Sequence, residues 1–538
     1  MRDEDAAFLS IDGKAAFLYN GKTVFSISAG FCPVNTEEGL LMQMLSTRGA
    51  AAVSPSMAIL RGLAPDGGLY VPAEFPSFTA EEIRSLAKMD YQERAAFVLG
   101  RFLPDFTAEE LKDAIAGAYG TGFDCQAVAP MAKVGTRAHA LELWHGPTLA
   151  FKDMALQLLP YLLTLSGKKH GETREVFILV ATSGDTGKAA LEGFLDVPGT
   201  RCCVFYPDGG VSQAQRLQMV TTGGSNTHVI AVKGNFDDAQ SGVKKIFSDP
   251  DFAREMDAQG RVLSSANSIN FGRLVPQIVY YFSAYADLLA EGAIEMGDRV
   301  NFCVPTGNFG DILAADYAGK AGLPLGRLIC ASNENNVLTD FINTGVYDIS
   351  GRDFYKTISP SMDILISSNL ERLLFDLCGQ DGAKVAALMA QLKTDRRYQV
   401  DAQMLEKLQA RYAAGYVNED GIREEIRRTW EEDHYLMDTH TAVASAVLRR
   451  YQQETGDETP CVIVSTASPY KFGASVLEAI AGREAVAGKD DFACCEMLSR
   501  LTGTREPDQI AKLPAMPIRH TAVCEKDAMA EAVLDAVK

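Results

Sequence analysis

The sequence lacks the features that mark membrane, secreted and metal-binding proteins. No apolar run approaches the ~20 residues that a helix needs to cross a bilayer. The opening residues, MRDEDAAFLS, are acidic and resemble neither a secretory signal nor a transit peptide. The 11 cysteines include no C-x-x-C pair, and the 7 histidines form no metal-binding grid. We therefore expect a cytoplasmic protein with reduced thiols, no membrane segment and no metal site.

Positive charge is also scarce. The 51 Lys and Arg residues are outnumbered by 70 Asp and Glu residues, which gives a net charge of -19 at pH 7. Binding to nucleic acid relies on clustered Lys and Arg, so we expect no nucleic-acid partner. An anionic ligand would need a locally basic pocket inside this acidic protein.

The first part of the chain divides into an extension and a helical domain. Residues 1–41 are punctuated by glycine and weakly patterned, and the sequence does not define their role. Residues 42–140 have mostly helical patterns. Two segments there, TAEEIRSLAKM and TAEELKDAIAGAYG, begin with Thr and carry Glu three residues later. That spacing predicts a capping box at the start of each helix.

Residues 141–480 repeat a strand–turn–helix rhythm. The apolar runs that carry it are VFILVA (176–181), CCVFY (202–206), HVIAVK (228–233) and NFCVP (301–305). The repetition predicts a parallel α/β core with helices on both sheet faces. We expect a helical insertion at about 380–455, and a C-terminal segment, 481–538, that packs on the core. Ligands in such folds bind beyond the carboxyl ends of the strands.

Two glycine-rich turns follow predicted strands. TGNFGD (306–311) can aim its amides at a phosphate at a helix N-terminus, although a tight strand-to-helix turn would have the same sequence. TSGDTGKAA (182–190) is not a P-loop, because Thr182 stands where that motif needs glycine and Ala189 where it needs Ser or Thr. Its Ser183 and Thr186 hydroxyls suit a carboxylate or a second phosphate, and a plain helix cap is the alternative.

Two further segments carry candidate chemistry. In ELWHGPTLAFKDMALQLL (142–159), Lys152 stands among apolar residues. Burial would lower its pKa, as a Schiff-base lysine requires, whereas a surface lysine or an ion pair with Asp153 is the structural alternative. In STASPYKF (465–472), hydroxyls at a strand end can form a hydrogen bond with a ring nitrogen, and termination of the strand before Pro469 is the structural alternative. Arg273 suits either a salt bridge or a substrate contact.

Taken together, these segments resemble the threonine synthase family, within the fold-type II enzymes that depend on pyridoxal phosphate (PLP). The matching segments, in family order, are STRG (46–49) with GLAPDGGLYVP (62–72), HGPTLAFKD (145–153), TSGDTG (182–187), NSINFGR (267–273), PTGNFGD (305–311), DTHTAVA (438–444) and STASPYKF (465–472). The resemblance implies two doubly wound parallel-sheet lobes plus a helical N-terminal domain.

The resemblance also implies roles for individual residues. Lys152 is similar to the lysine that holds PLP as a Schiff base and acts in catalysis, and Thr466 to the hydroxyl that faces the pyridine nitrogen. The implied cradle for the cofactor phosphate is Gly307, Asn308, Phe309, Gly310 and Asp311. The implied substrate loop is Ser183, Gly184, Asp185 and Thr186. The candidates for the substrate phosphate are His145, Thr148, Lys188 and Arg273.

One departure from the family pattern concerns the cradle. Asp311 stands where many relatives have Asn. A carboxylate near a phosphate is unfavourable unless it points away.

The implied activity is a β,γ-replacement that converts O-phospho-L-homoserine and water to L-threonine and phosphate. A PLP-dependent phospho-lyase or dehydratase would use the same residues and release 2-oxobutyrate and ammonia. A catalytically silent homologue is a third reading, against which the intact Lys152 and glycine loop argue. The partner is a small-molecule substrate, and the chain is expected to act as a monomer or homodimer.

Overall fold

The chain forms two compact units, Met1–Leu41 and Met42–Lys538. The computed structural model describes residues 42–182 and 184–536, together with the backbone of three strands near the N-terminus. These strands are β1 (Ala6–Ile11), β2 (Lys14–Tyr19) and β3 (Lys22–Ile27). They form an antiparallel sheet in the order β1-β2-β3, so the extension of unassigned role contains a β-meander.

The second unit begins with a helical segment. A short antiparallel pair, β4 (Met44–Ser46) and β5 (Tyr70–Pro72), encloses the first helix. The helices are α1 (Pro55–Arg61), α2 (Ala80–Leu86), α3 (Tyr91–Phe102) and α4 (Ala108–Ala118). Thr79 with Glu82, and Thr107 with Glu110, form capping boxes at α2 and α4, which confirms both predicted helix starts.

The α/β core follows. Its strands are β6 (Met131–Val134), β7 (Ala138–Glu142), β8 (Glu175–Ala181), β9 (Thr200–Pro207), β10 (Thr227–Lys233), β11 (Arg261–Ser264), β12 (Val300–Pro305), β13 (Leu325–Ser332), β14 (Val346–Asp348), β15 (Arg397–Gln399), β16 (Tyr412–Tyr416), β17 (Cys461–Ser465) and β18 (Ala522–Glu525). The helices up to the middle of the core are α5 (Lys152–Leu156), α6 (Leu159–Lys169), α7 (Asp185–Gly193), α8 (Gln213–Val220), α9 (Phe236–Phe247), α10 (Pro250–Ala258), α11 (Phe271–Ala290), α12 (Gly310–Lys320) and α13 (Val337–Thr344). The later helices are α14 (Leu370–Leu377), α15 (Gly382–Asp395), α16 (Ala402–Arg411), α17 (Glu419–Asp433), α18 (Thr439–Thr455), α19 (Gly473–Ala481), α20 (Arg483–Val486), α21 (Asp491–Thr502), α22 (Asp508–Ala511) and α23 (Met529–Ala536).

Two sheets organise the core. The five-stranded sheet has the order β11-β8-β9-β10-β18 and is parallel throughout. The six-stranded sheet has the order β16-β13-β12-β17-β7-β6, and only its edge pair β6–β7 is antiparallel. Central strands such as β12 are buried at every residue, as parallel strands covered on both faces must be. The predicted fold class, two parallel-sheet lobes with a helical N-terminal domain, is confirmed.

The structure adds strands that the sequence patterns do not predict. β16 lies within the expected helical insertion at 380–455 and pairs with β13 at the edge of the six-stranded sheet. Strand β7, which pairs with β17, crosses the predicted domain boundary at 140/141. Among the described residues, no helix is long and apolar enough to cross a membrane.

Candidate active site

The site is built where strands of both sheets end. Strand β8 leads into TSGDTG, β12 leads into TGNFGD, and β17 leads into the segment containing Thr466. The strands β12 and β17 are neighbours in the six-stranded sheet, so their carboxyl ends lie side by side. This arrangement brings together turns that are distant in sequence.

Lys152 begins helix α5 and follows a tight turn. The turn contains Leu149, a buried non-glycine residue with φ of 59°, in the left-handed region. Asp153 stabilises the turn, because its carboxylate accepts hydrogen bonds from the amide and the hydroxyl of Thr148, both at 2.8 Å. On the far side, the amide of Phe151 donates to the carbonyl of Thr466 at 2.8 Å. Lys152 is therefore fixed beside the end of β17.

The Lys152 amine lies in a pocket of mixed charge. Its Nζ is 3.5 Å from Asp185 Oδ2 and 3.4 Å from Ser361 Oγ. Burial lowers the pKa of Lys152, and the positive charges of Lys471 and Arg273 lower it further, against the opposing effect of Asp185. A lower pKa increases the fraction of free amine, the form that attacks a carbonyl.

Asp185 links several of these groups. Its Oδ1 lies 3.1 Å from both Lys471 Nζ and Gln215 Nε2, and its Oδ2 accepts a hydrogen bond of 3.0 Å from Ser361 Oγ. Burial alone would raise the pKa of Asp185, but the charges of Lys471 and Lys152 outweigh burial and hold it well below its usual range. The carboxylate is therefore ionised.

The loop between β8 and α7 ends at the N-terminus of α7. Gly184 has a φ of 145°, a backbone conformation that residues with a side chain rarely adopt. Thr182 Oγ1 accepts hydrogen bonds from the amides of Gly184 and Gly187, each 3.0 Å long. Thr186 lies in the first turn of α7, where the helix dipole favours anions. Ser183 lies outside the described residues.

The glycine-rich loop before α12 forms an open cradle. Phe309 caps the helix in a left-handed conformation, and the carbonyls of Gly307 and Asn308 face away, since Ser367 Oγ and Asn369 Nδ2 donate to them at 2.7 and 3.0 Å. None of the described residues accepts a hydrogen bond from the amides of Gly307, Asn308 or Phe309. Unpaired amides at a helix N-terminus are a binding site for phosphate.

Asp311, at the end of this loop, is held by two tyrosines of α11. Its Oδ1 accepts hydrogen bonds from the hydroxyls of Tyr280 and Tyr281, at 2.5 and 2.7 Å, and its buried Oδ2 has no partner among the described residues. Burial raises the pKa of Asp311 to about 6. A carboxyl group with this pKa is partly neutral near pH 6, which reduces its repulsion of a nearby phosphate.

Thr466 directly follows strand β17 and is buried, with 6% of its surface exposed. Its carbonyl accepts a hydrogen bond from the Phe151 amide. Its hydroxyl has no hydrogen-bond partner in the part of the chain that the structure describes. The neighbouring Ser465 hydroxyl, in contrast, is bonded to Trp144 Nε1 at 3.0 Å and to the Thr441 hydroxyl at 3.1 Å. Of these two hydroxyls, only that of Thr466 is available to a ligand.

The four candidates for the substrate phosphate differ in their surroundings. Lys188 forms an ion pair with Glu192 and donates a hydrogen bond to Thr222 Oγ1 at 2.9 Å. The Thr148 hydroxyl donates to the Asp153 carboxylate. His145 lies between the carboxylates of Asp124, at 2.7 Å, and Glu142, at 3.0 Å.

Arg273, the fourth candidate, retains free hydrogen-bonding capacity. It donates from Nη1 to Ala266 at 2.5 Å, but its buried Nε has no partner among the described residues. Its positive charge also lowers the pKa of Lys152. The sequence-based assignments of all four residues stay predictions.

Three residues of the site were not singled out from the sequence. Ser361 contacts both Lys152 and Asp185, and its amide donates to His440 Nε2 at 3.0 Å. Because Nε2 accepts this bond, His440 carries its proton on Nδ1, which donates to Asp438 at 2.7 Å. Lys471 belongs to the STASPYKF segment (465–472), but no local sequence pattern distinguishes it from a surface lysine.

These features fit PLP. The aldehyde of PLP forms a Schiff base with a free amine, which Lys152 can supply. The phosphate of PLP is bound by unpaired backbone amides, which the loop at 307–309 can supply. A ring nitrogen needs a hydroxyl, which Thr466 offers. Ser361 lies between the Lys152 amine and the loop at 307–309. Its hydroxyl contacts Lys152, and its carbonyl lies 3.0 Å from the position that a Cβ on Gly307 would occupy.

Comparison with known proteins agrees with this fit. The family profile "Threonine synthase N terminus" matches residues 43–119, "Pyridoxal-phosphate dependent enzyme" matches 125–391, and "Threonine synthase, C-terminal" matches 441–533. Fold and site therefore define a PLP-dependent enzyme of fold type II.

Individual relatives are more specific. "Threonine synthase" of Pseudomonas aeruginosa is 40% identical over 481 residues, 89% of this chain and 98% of that protein. The crystal structure of PLP-bound threonine synthase from Brucella melitensis superposes with a TM-score of 0.82 at 37% identity, covering 92% of this chain and 100% of that one. The chain belongs to the threonine synthase family.

A second group of relatives is longer than this chain. Human "Threonine synthase-like 1" is 42% identical over 438 residues, which is 80% of this chain and 58% of that protein. The chain thus matches little more than half the length of these relatives.

Proposed function

We propose that this protein converts O-phospho-L-homoserine and water to L-threonine and phosphate, the last step of threonine biosynthesis. One observation carries the proposal. The Phe151 amide, which directly precedes Lys152, is hydrogen-bonded to the Thr466 carbonyl, beside the loop of unpaired amides at 307–309. In a member of this family, that combination supports catalysis rather than a silent scaffold.

Lys152 would hold PLP as a Schiff base. The amides of Gly307 to Gly310 would bind the cofactor phosphate, and the Thr466 hydroxyl would face the pyridine nitrogen. When bound, PLP supplies an electron sink for the pair left at the substrate Cα when its proton is removed. A neutral hydroxyl partner leaves the ring nitrogen unprotonated.

Lys152 also acts as the base. Once the substrate amine has taken its place, the Lys152 amine removes the proton from Cα, for which burial and the nearby Lys471 and Arg273 prepare it by lowering its pKa. A second proton would leave Cβ and phosphate would leave Cγ, after which a proton would return to Cγ, water would add at Cβ and a proton would return to Cα. The sum is one substrate and one water consumed for one threonine and one phosphate released.

The substrate has two anionic groups, and the site has places for both. The described part of the substrate loop, Gly184 to Thr186, lies at the N-terminus of α7 and suits the α-carboxylate, and the sequence assigns Ser183 to the same loop. Arg273 suits the leaving phosphate, because its buried Nε has no partner among the described residues. Lys152, Lys471 and Arg273 together make the local surroundings basic within a protein of net charge -19. We also propose a cytoplasmic location and a monomer or homodimer.

A product assay tests the proposal. Purified protein with PLP is given O-phospho-L-homoserine, and phosphate, threonine, 2-oxobutyrate and ammonia are quantified together. Threonine equal in amount to phosphate supports the synthase. Phosphate with 2-oxobutyrate and ammonia moves the assignment to the phospho-lyase, and no phosphate from PLP-loaded protein overturns both. The Lys152→Ala variant serves as the inactive control.

A further inference from the structure

A second lysine is buried beside Lys152. Lys471 lies in the short 3₁₀ turn Pro469–Phe472 that follows β17, and only 1% of its side chain is exposed. Removing a charged ammonium group from water is costly unless partners compensate it. Lys471 has two such partners, and each of them belongs to the surroundings of Lys152.

The first partner is the carboxylate that faces the Lys152 amine. Lys471 Nζ lies 3.1 Å from Asp185 Oδ1, while Lys152 lies 3.5 Å from Oδ2 of the same carboxylate. Asp185 is thus shared between two lysines, each on its own oxygen. Lys471 fixes the carboxylate in place and neutralises part of its attraction for Lys152.

The second partner is the turn that carries Lys152. Lys471 Nζ donates a hydrogen bond of 2.7 Å to the carbonyl of Thr148, which directly precedes the left-handed Leu149. A left-handed conformation is unfavourable for leucine and persists only where surrounding contacts hold it. The Leu149 carbonyl is held as well, because the amide of Ser468 donates to it at 3.1 Å. Lys471 and Ser468, from the same segment after β17, therefore hold both sides of the strained residue.

We propose that Lys471 is a positioning residue for Lys152, whose single ammonium group fixes both the carboxylate facing the Lys152 amine and the turn that carries it. This inference rests on the proposed role of Lys152 and adds a residue to it. The titratable and charged groups around the pair are Asp185, Asp153, Asp311, Arg273 and His440.

The proposed role of Lys471 differs from that of an ordinary buried ion pair because it affects the pKa of Lys152. Without Lys471, a neighbouring positive charge is lost and Asp185 is free to pair with Lys152 alone. Both changes favour the ammonium form of Lys152. A lysine that served only the fold would leave the titration of Lys152 unchanged.

The test measures the titration of Lys152 in the apoprotein, without turnover. The rate of reductive methylation of Lys152 is followed by peptide mass spectrometry as a function of pH. The variants are Lys471→Met, which removes the charge, and Lys471→Arg, which keeps it, with Lys471→Gln as a second neutral variant. The matched control is Lys320→Met, because Lys320 is another paired lysine, bound to Asp316 and Asp376 at the far end of α12.

We expect Lys471→Met to raise the pKa of Lys152 by about one unit, which reduces the free amine about tenfold at neutral pH. Lys471→Arg should shift the pKa less than half as far, and Lys320→Met should not shift it. An unchanged pKa in a folded neutral variant overturns the proposal, and so does failure of both neutral variants to fold, since Lys471 would then serve the whole fold.

Borohydride reduction of the PLP-loaded parent separates the two hypotheses. A label on Lys152 keeps the proposed cofactor role even if Lys471 fails its test. A label on a different lysine rejects the proposed role of Lys152 itself.

Discussion

The backbone of Phe151 is hydrogen-bonded to the backbone of Thr466, at 2.8 Å from amide to carbonyl. An antiparallel bridge between Ala150 and Ala467 flanks this contact. The residue before the lysine and the residue with the free hydroxyl therefore belong to one small backbone unit. Side chains on such a unit keep a fixed spacing, which a cofactor bound between them requires.

Replacing Lys152 by alanine should abolish the visible absorbance of the PLP-treated protein, because the neighbouring Lys471 amine is held by Asp185 and by the Thr148 carbonyl. Borohydride reduction followed by peptide mapping should find no label at this segment. A retained absorbance spectrum in a folded variant would refute the assignment of Lys152.

Replacing Thr466 by valine should lower kcat, because the hydroxyl without a partner among the described residues is removed while the shape is kept. The lost hydrogen bond costs about 1–3 kcal/mol, which corresponds to a roughly five- to hundredfold slower reaction. Thr466→Ser keeps the hydroxyl and should retain most of the rate. Equal rates for the two variants, measured with PLP in excess, would contradict the role.

Replacing Gly307 by alanine should weaken PLP binding, because the new Cβ would stand 3.0 Å from the Ser361 carbonyl and 3.2 Å from Met362 Cα. Both neighbours are backbone atoms, so the cradle itself must move. We expect about a tenfold higher dissociation constant, or ~1.4 kcal/mol. Gly100→Ala is the control, since its Cβ meets nothing within 4 Å and α3 gains up to about 1 kcal/mol in helix propensity. Spectroscopic titration of the apoproteins measures the affinity, and similar constants would dismiss the cradle argument.

Asp311 should make stability fall as pH rises. Burial raises its pKa from 3.8 to about 6 in the folded protein. The folded state therefore binds the proton more tightly than the unfolded state, and this contribution is complete below the unfolded pKa and is lost as pH rises through the folded one. Asp311→Asn removes the dependence, so its free energy of unfolding relative to that of the parent should rise by on the order of 2 kcal/mol between about pH 4 and about pH 8, and its Tm should rise in parallel. A Tm difference that stays constant with pH would rule out the raised pKa.

His145 should stabilise the fold below alkaline pH. Burial alone would lower its pKa, but Asp124 and Glu142 outweigh burial and raise it from 6.5 to about 9. Its contribution is fully present below the unfolded pKa and is lost as pH rises through the folded value. His145→Gln should lower the urea midpoint of the apoprotein near about pH 6, and the loss should shrink above about pH 9. If the loss is as large at high pH, the imidazolium is not the cause.

Local patterns in the sequence predict the parts of the fold that depend on neighbouring residues. The capping boxes at Thr79 and Thr107 need only a four-residue spacing, and the buried strand β12 needs only an apolar run. Strand β16, in contrast, has the sequence YAAGY, which would also suit a helix. It becomes a strand because β13 offers it a free edge, and that information lies elsewhere in the chain.

The same limit applies to the site. Ser361 reaches Lys152 across 209 residues of sequence, and the hydroxyl of an ordinary loop serine carries no local signal of that contact. The DTHT segment predicts a cap, and Asp438 does cap α18. The same carboxylate also holds the His440 ring that accepts from Ser361, a second use that appears only when the segments are brought together.

The position of β18 at the edge of the five-stranded sheet has a consequence for synthesis of the chain. Its partner β10 is translated far earlier, since Lys233 and the residue it meets, Glu525, are separated by 292 positions. While the ribosome adds those residues, the edge of β10 has no native partner and is open to pairing with other chains. A nascent chain of this protein would therefore depend on rapid completion, or on a chaperone, until its last strand emerges.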